Sequence, residues 1–399
     1  MYEFNSELSK KEYDNFISEY SMASFMQDYN WSNIKDNWGS LHCGLYKDKK
    51  LVGVCLILIK KIFKKINMFY IPRGYLMDFE NYDDLNEMTK NIKILAKKYH
   101  AYTVKIDPNF CISDNSLKGE ECEHNYSKNY DIKNSNLKKL GYKYTGLHKE
   151  ISKNLQPQFN MFAPLCNIDS KIYTNDELLS TYKSKVKYYF TGSFHTNRGI
   201  TYEITDDIKR TKDLVAMLKE TEIKQKINLR NEEYFNKIMT NYKDYAYLVF
   251  GKCNLKTYYE YLINNNGKED EINAVKDELK NNDEILLSAS LIILPKNRKG
   301  IRTSEYLYAG NSNKFTNLNV SAGLVYNILK FSIENDCHYC NLGGVDGNLN
   351  DHLSKFKQKY NARVMIFCGE YDLPTSILYY PIKLFYPMLL KIYKFTKRK

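Results

Sequence analysis

The chain has 399 residues and a mass of 47.1 kDa, with 43% hydrophobic and 27% charged residues, which excludes both a lone small domain and wholesale disorder. Its 59 Lys and Arg against 47 Asp and Glu give a net charge of +12. That surplus suits a polyanionic partner such as RNA, a nucleotide diphosphate or an anionic membrane face, and is equally the product of a chain rich in Lys, Asn and Tyr.

Nine Cys at unpaired spacings argue for reduced thiols rather than a disulfide framework. The lone Cys337-His-Tyr-Cys340 lacks the second pair of a zinc ribbon and runs into a strand, so no metal is predicted. The N-terminus, MYEFNSELSKKEYDNF, has acids and lysines where a signal peptide needs an apolar run. The longest apolar runs, Leu51 to Ile59 and Ile285 to Leu294, are about half the ~20 residues of a spanning helix. A cytoplasmic location is expected.

In chain order, residues 9 to 38 are helical in pattern with Ser9 as N-cap. Leu41 to Tyr46 and Leu51 to Ile59 form a hairpin across Lys47-Asp-Lys-Lys50. Met68 to Ile71 is a strand stopped at Pro72-Arg73-Gly74, Asp83 to Tyr99 a helix, and Thr103 to Asp107 a strand ended by Pro108. The succession then returns. Asp176 to Asn197 and Thr211 to Thr240 are predicted helices, and Tyr245 to Gly251 and Glu284 to Leu294 strands. Glu305 to Ala309 is a strand stopped at Gly310, Asn319 to Glu334 a helix, and Tyr339 to Leu342 the last strand. The repeat predicts a duplicated α/β domain with mixed sheets, divided near residue 155. Residues 255–282 read as a short charged helical hairpin, projecting from the core. Residues 376–399 interleave aromatics and aliphatics with lysines, the composition of an interfacial helix on an anionic membrane or of a segment packed back on the first domain.

Residues 339–360, YCNLGGVDGNLNDHLSKFKQKY, are the stretch with most chemistry. A strand stopping at Gly343-Gly344 before a helix exposes backbone N–H groups to an anion or oxyanion. Phe356 and Tyr360 share a helix face, with Lys357 beside them. An ordinary strand, turn and solvated basic helix fits the same spacing.

Several dispersed pieces resemble the Fem aminoacyltransferases, which move an amino acid from aminoacyl-tRNA to the stem peptide of a peptidoglycan precursor. They are FMQDYNWSNIK (Phe25 to Lys35), YIPRGYLMD (Tyr70 to Asp78, with Tyr75 where the family has proline), VKIDP (Val104 to Pro108), INLRNEEYF (Ile227 to Phe235), YLYAG (Tyr306 to Gly310) and the NLGG…FKQKY close. Lys187 stands where the family usually has arginine. The resemblance implies two tandem acetyltransferase-like (GNAT-like) domains with mixed sheets and a short helical hairpin insertion. The first spans 1–155 with a C-terminal return over 360–399, and the second 156–359.

The resemblance also implies a site. Lys35 and Arg230 would hold phosphates, with Tyr234 and Arg73 in the same substrate-binding set. Asp107 would orient or deprotonate the amine, its alternative being a loop cap. Lys357 would stabilise the leaving oxygen or oxyanion, Phe356 would stack on the terminal adenine, and Tyr308 would act through its hydroxyl. Aminoacyl-tRNA is the implied co-substrate, with no other cofactor. The implied partners are a peptidoglycan precursor and the inner face of the membrane. Two alternatives stay open: an acyl-CoA transferase of the same domain type, although the pyrophosphate-binding hexapeptide [RQ]-x-x-G-x-[GA] is missing, and a basic RNA- or membrane-binding scaffold.

Overall fold

The computed structural model describes residues 1–20, 23–63, 65–115, 125–126, 129–190, 192–225, 229–296 and 298–385. These form two compact units, one from the described residues of Met1–Asp114, His124–Phe159 and Met365–Lys399, the other from those of Asn115–Glu123 and Asn160–Val364.

In the first unit the strands run Tyr2–Asn5, Gly39–Lys47, Lys50–Phe63, Ile66–Ile71, Ala101–Ile106, Tyr371–Pro374, Lys143–Tyr144 across the sheet. The hairpin turns at Asp48 and Lys49, both at positive φ, the backbone sense that matches strand twist in a two-residue turn. Ile66–Ile71 and Ala101–Ile106 are parallel, so a crossover must join them. That crossover is the helix Tyr82–Lys98. Asn81 caps it by accepting from the Asp84 N–H, acids fill its first turn and lysines its last, and Leu85, Met88, Ile92, Leu95 and Ala96 bury one stripe against the sheet core.

The second unit repeats the plan. Its strands run Ile200–Thr205, Ala246–Asn254, Glu284–Ile293, Thr303–Asn311, Tyr339–Gly344, Phe159–Pro164. Among these six strands only Thr303–Asn311 and Tyr339–Gly344 pair in parallel, and the largely buried helix Val320–Glu334 crosses between them. Both sheets are therefore mixed and the fold is α/β. The helices Leu255–Asn264 and Glu269–Leu279 make the hairpin. Instead of projecting clear of the core, its inner face packs Leu255, Tyr258, Leu262 and Val275 with Ile200, Leu287 and Val320.

Several predicted elements differ. The helix expected over 9 to 38 is Lys10–Ser18, with Ser9 accepting from the Glu12 N–H, then a turn at Phe25–Gln27 and a short helix Trp31–Ile34. A capping box between Ser24 and Gln27 restarts the chain there. Asp176 to Asn197 is three short helices, Asn175–Ser180, Ser184–Phe190 and Gly192–Thr196. Thr211 to Thr240 is two helices, Thr211–Gln225 and Glu232–Asn241. Gly310 does not stop its strand: a Cβ there would lie 2.6 Å from the Met217 backbone, so the glycine lets the helix Thr211–Gln225 approach.

Candidate active site

The second unit has a fork. Its parallel ladder covers Thr303 to Glu305 against Tyr339 to Asn341 and ends there. Beyond it each strand is laddered on its outer side, Leu307 to Leu291 and Gly344 to Asn160. The carboxyl ends of parallel strands that part in this way are where open α/β sheets receive ligands. At the crotch the Asn341 amide donates to Glu305 Oε2 at 2.8 Å, and Asn341 Oδ1 accepts from the Gly343 N–H at 2.9 Å.

Lys357 reaches this fork. It is the seven-residue helix His352–Gln358 that carries it, and its amine donates to the Gly344 carbonyl at 2.8 Å. Gly343 has φ +84, and its α-carbon is open enough that a Cβ would lie 3.6 Å from the Lys357 amine. The side chain is 4% exposed. Burial lowers the ammonium pKa to about 7, with Asp351 opposing the shift: a charge removed from water with no carboxylate in contact sheds its proton readily.

This corrects the expected anion cradle. The strand continues through Gly344, whose carbonyl takes the lysine. The first helical N–H groups, of Leu353 and Ser354, are filled by the Asp351 carboxylate at 2.8 and 3.0 Å. Lys355 and Lys359 are solvent-exposed, as a basic face should be, whereas Lys357 is not. Phe356 is half-buried, edge-on to Tyr360 with centroids 5.6 Å apart, and the Lys359 amine lies 5.6 Å over its ring.

Tyr308 stands on the other arm of the fork, beyond the ladder. It has φ +52 and sits where the register with Glu284–Ile293 shifts, an αL residue of the kind that re-aims a side chain at a bulge. Its hydroxyl meets that of Tyr234 at 2.9 Å, and burial with the neighbouring phenol raises the pKa of Tyr234. Asn231 caps the helix Glu232–Asn241, so Arg230 precedes the helix instead of lying in it. Its guanidinium still lies 5.1 Å over the Tyr234 ring. Glu233 is held by Lys237 at 2.8 Å and Glu220 by the Asn313 N–H at 3.1 Å, which leaves an exposed guanidinium fork beside two phenols. Arg230, Tyr234 and Tyr308 are thus brought together; Ile227 and Asn228 of the same motif lie outside the described residues.

In the first unit Arg73 and Asp107 form a buried pair. Asp107 Oδ1 accepts from the Arg73 N–H at 2.9 Å, and Arg73 Nε is 3.9 Å from Oδ2. Arg73 has φ +57 and stacks its guanidinium 4.9 Å over Phe367. Burial raises the Asp107 pKa to about 6, against the pull of Arg73. The buried Tyr70 hydroxyl faces this carboxylate and helps to lower its pKa, although neither it nor Oδ2 completes a hydrogen bond of ordinary geometry. The loop is held from behind by Gln27, whose amide donates to the Arg73 and Gly74 carbonyls at 3.0 and 3.2 Å. Lys35 closes the helix Trp31–Ile34, with its amine 5.0 Å over the Trp31 ring.

Gln27, Tyr70, Glu305 and Asn341 were not singled out from the sequence. Their signature is a polar side chain, buried in Gln27, Tyr70 and Asn341 and half-buried in Glu305, and it shows only once partners distant in the chain are known. Among the described residues no group of three or more His, Cys, Asp and Glu can hold a metal ion, and no helix is long and apolar enough to cross a membrane. Cys337 and Cys340 are core residues whose thiols burial pushes up to about 12.

A model of the FemAB family matches residues 8–284 and 264–386. Curated relatives include lipid II:glycine glycyltransferases of Staphylococcus aureus, among them strains bovine RF122 / ET3-1 and N315. Each is 24% identical, with the match covering 98% of this chain and 99% of the relative. Among solved structures, FemX superposes with a TM-score of 0.75 at 23% identity, covering 95% of this chain and 99% of its own. A tandem GNAT protein from the clavulanic acid biosynthesis pathway reaches 0.50 at 8% identity, covering 94% and 99%. These two likenesses are of fold.

Proposed function

The chain belongs to the FemAB family, and from that membership we propose that it is an aminoacyltransferase moving an amino acid from aminoacyl-tRNA to the stem-peptide side-chain amine of a peptidoglycan precursor, at the inner face of the cytoplasmic membrane. The observation that carries the proposal is Lys357, a buried amine at the mouth of a sheet fork with its pKa lowered to about 7.

The chemistry follows from the donor. An aminoacyl ester is already activated, so no protein nucleophile is required. The acceptor ammonium loses a proton, and its lone pair attacks the ester carbon. A C–N bond forms and negative charge gathers on the carbonyl oxygen. On collapse the bond to the tRNA 3′-oxygen breaks, that oxygen leaves with the electron pair and takes up a proton, and the new amide nitrogen gives up its second. An ammonium poised near neutrality is well matched to stabilising the oxyanion and supplying the proton to the leaving oxygen. Asp107, with its carboxyl raised to about 6, is matched to orienting the incoming ammonium or accepting its proton. Arg230 and Lys35 offer cations to phosphates, Phe356 a ring for the terminal adenine, and Tyr308 a hydroxyl. Aminoacyl-tRNA is the co-substrate and no further cofactor is invoked.

The test is to incubate the purified chain with charged tRNAs, glycyl-tRNA first because the curated relatives carry glycine in their name, and with lipid-linked or soluble precursor. The expected product is precursor heavier by one aminoacyl residue. Consumption of acetyl-CoA without tRNA would replace this reading with acyl-CoA chemistry, and binding without transfer would leave a scaffold.

A further inference from the structure

The strand Tyr371–Pro374 leads through a turn into a helix that begins at residue 379 and is described to 385. One side of this segment is fastened to the first unit. Tyr379 and Ile382 are buried, and the Tyr379 hydroxyl donates to Asp372 Oδ2 at 2.9 Å. Lys383 reaches the same oxygen at 3.0 Å, and Lys105 pairs with Oδ1 at 2.7 Å. Burial opposes charge on Asp372, yet Lys105 and Lys383 hold its carboxyl below the usual carboxylate range. Pro381 falls in the first turn, where its missing N–H costs the helix nothing.

The other side is the reverse of an ordinary surface helix. Ile377 is 86%, Leu384 71%, Tyr380 60%, Phe385 50% and Leu378 40% exposed. At 100° per residue Tyr380, Pro381, Leu384 and Phe385 share one arc, and that arc contains no charge. A solvent-facing helix normally turns charged residues to water and apolar ones inward; here both faces are apolar, and on the outer one Tyr380 is engaged, its hydroxyl accepting from the Lys143 amine at 2.7 Å and its ring lying 4.5 Å beneath that amine. After Leu373 the sequence contains six basic residues, Lys383, Lys391, Lys394, Lys397, Arg398 and Lys399, and no Asp or Glu.

We propose that this face is a docking surface for an anionic phospholipid bilayer, with Ile377, Leu384 and Phe385 entering the boundary between headgroups and acyl chains and the Lys143 amine, which lies against Tyr380, meeting lipid phosphates. Charge selects this occupant over a second copy of the chain, because apposing two such faces would set the Lys143 and Lys383 amines of each copy near those of the other, with no acidic residue after Asp372 to offset them. The inference deepens the reading of a membrane-side transferase and rests on it for its setting. Vesicle binding is measured without either substrate, so its failure and the failure of that reading are distinguishable.

The experiment is cosedimentation of the full chain with phosphatidylglycerol-containing vesicles and with pure phosphatidylcholine vesicles. Binding to the first, weak binding to the second, and loss with added salt are expected. The double variant Leu384→Glu/Phe385→Glu should lower partitioning by about tenfold or more, with Ile377→Glu as an independent second variant. All three positions are exposed, and an unchanged melting temperature checks folding. Unaltered binding by both variants, or equal binding to the neutral vesicles, overturns the proposal. So does a dimer in light scattering that the variants disperse while wild type ignores vesicles, an outcome that assigns the face to self-association.

Discussion

Replacing Lys357 by Met should make the protein more stable and less active at once. Met keeps the unbranched length of the side chain and removes the charge, so volume is nearly conserved. The ammonium falls from 10.5 to about 7; at about 1.36 kcal/mol per pH unit, holding the charged form folded costs about 5 kcal/mol. Losing the hydrogen bond to the Gly344 carbonyl offsets about 1 kcal/mol of the gain. A net stabilisation of about 3 to 4 kcal/mol follows at pH 7 and below. Its pH dependence fixes the cause. Between about 7 and 10.5 the unfolded chain holds a proton on Lys357 that the folded chain has released, so wild type gains stability as pH rises through that window. The gap to Lys357→Met should therefore close toward pH 10.5. Urea denaturation of both proteins across pH 6 to 10.5 measures it. Equal midpoints at pH 7, or a gap independent of pH, would refute the claim that this amine is desolvated.

Arg230→Ala and Lys35→Ala should each raise the acceptor KM, by about tenfold per lost charge-assisted phosphate contact, with little change in kcat; steady-state kinetics with each precursor form reads this directly. The kcat/KM profile of wild type should rise through about 6, as Asp107 ionises, and fall through about 7, as Lys357 deprotonates. In Asp107→Asn the acid limb should disappear, and its persistence would assign that limb elsewhere. Gly310→Ala should destabilise by about 1 to 3 kcal/mol, because its Cβ would lie 2.6 Å from the Met217 backbone; a thermal melt at wild-type Tm would contradict that packing argument.

Much of the fold was readable because local signals and tertiary structure agree. The Asp48-Lys49 turn, the Ser9 cap and the apolar stripe of Tyr82–Lys98 are all short-range features, whereas the Asn231 cap that starts a new helix inside Thr211 to Thr240 was not singled out from the sequence. The site was harder to read for a physical reason. Lys355, Lys357 and Lys359 look alike in sequence, but Lys357 shares its inward side with Ser354 and Tyr360, and only the fork in the sheet shows that this side is buried. Gln27 falls inside a predicted helix, but the helix stops at Ser18, and the Gln27 amide is bonded instead to carbonyls 46 and 47 residues away. Tyr308 was readable as a strand residue, whereas its left-handed backbone depends on a register shift with a neighbouring strand. Part of the C-terminal segment packs back on the first unit, as one of the two sequence readings has it, while its outer face stays apolar; residues 386–399 lie outside the described residues.

The most direct measurement is a single-turnover assay in which aminoacyl-tRNA labelled in its amino acid is mixed with excess enzyme and precursor, for wild type and Lys357→Met. The expected result is label moving from the tRNA ester to the precursor amine in wild type, slowed about 100-fold or more in the variant although that variant is the more stable protein. Label that stays on the tRNA with wild-type enzyme, or transfer at the wild-type rate by Lys357→Met, would contradict it.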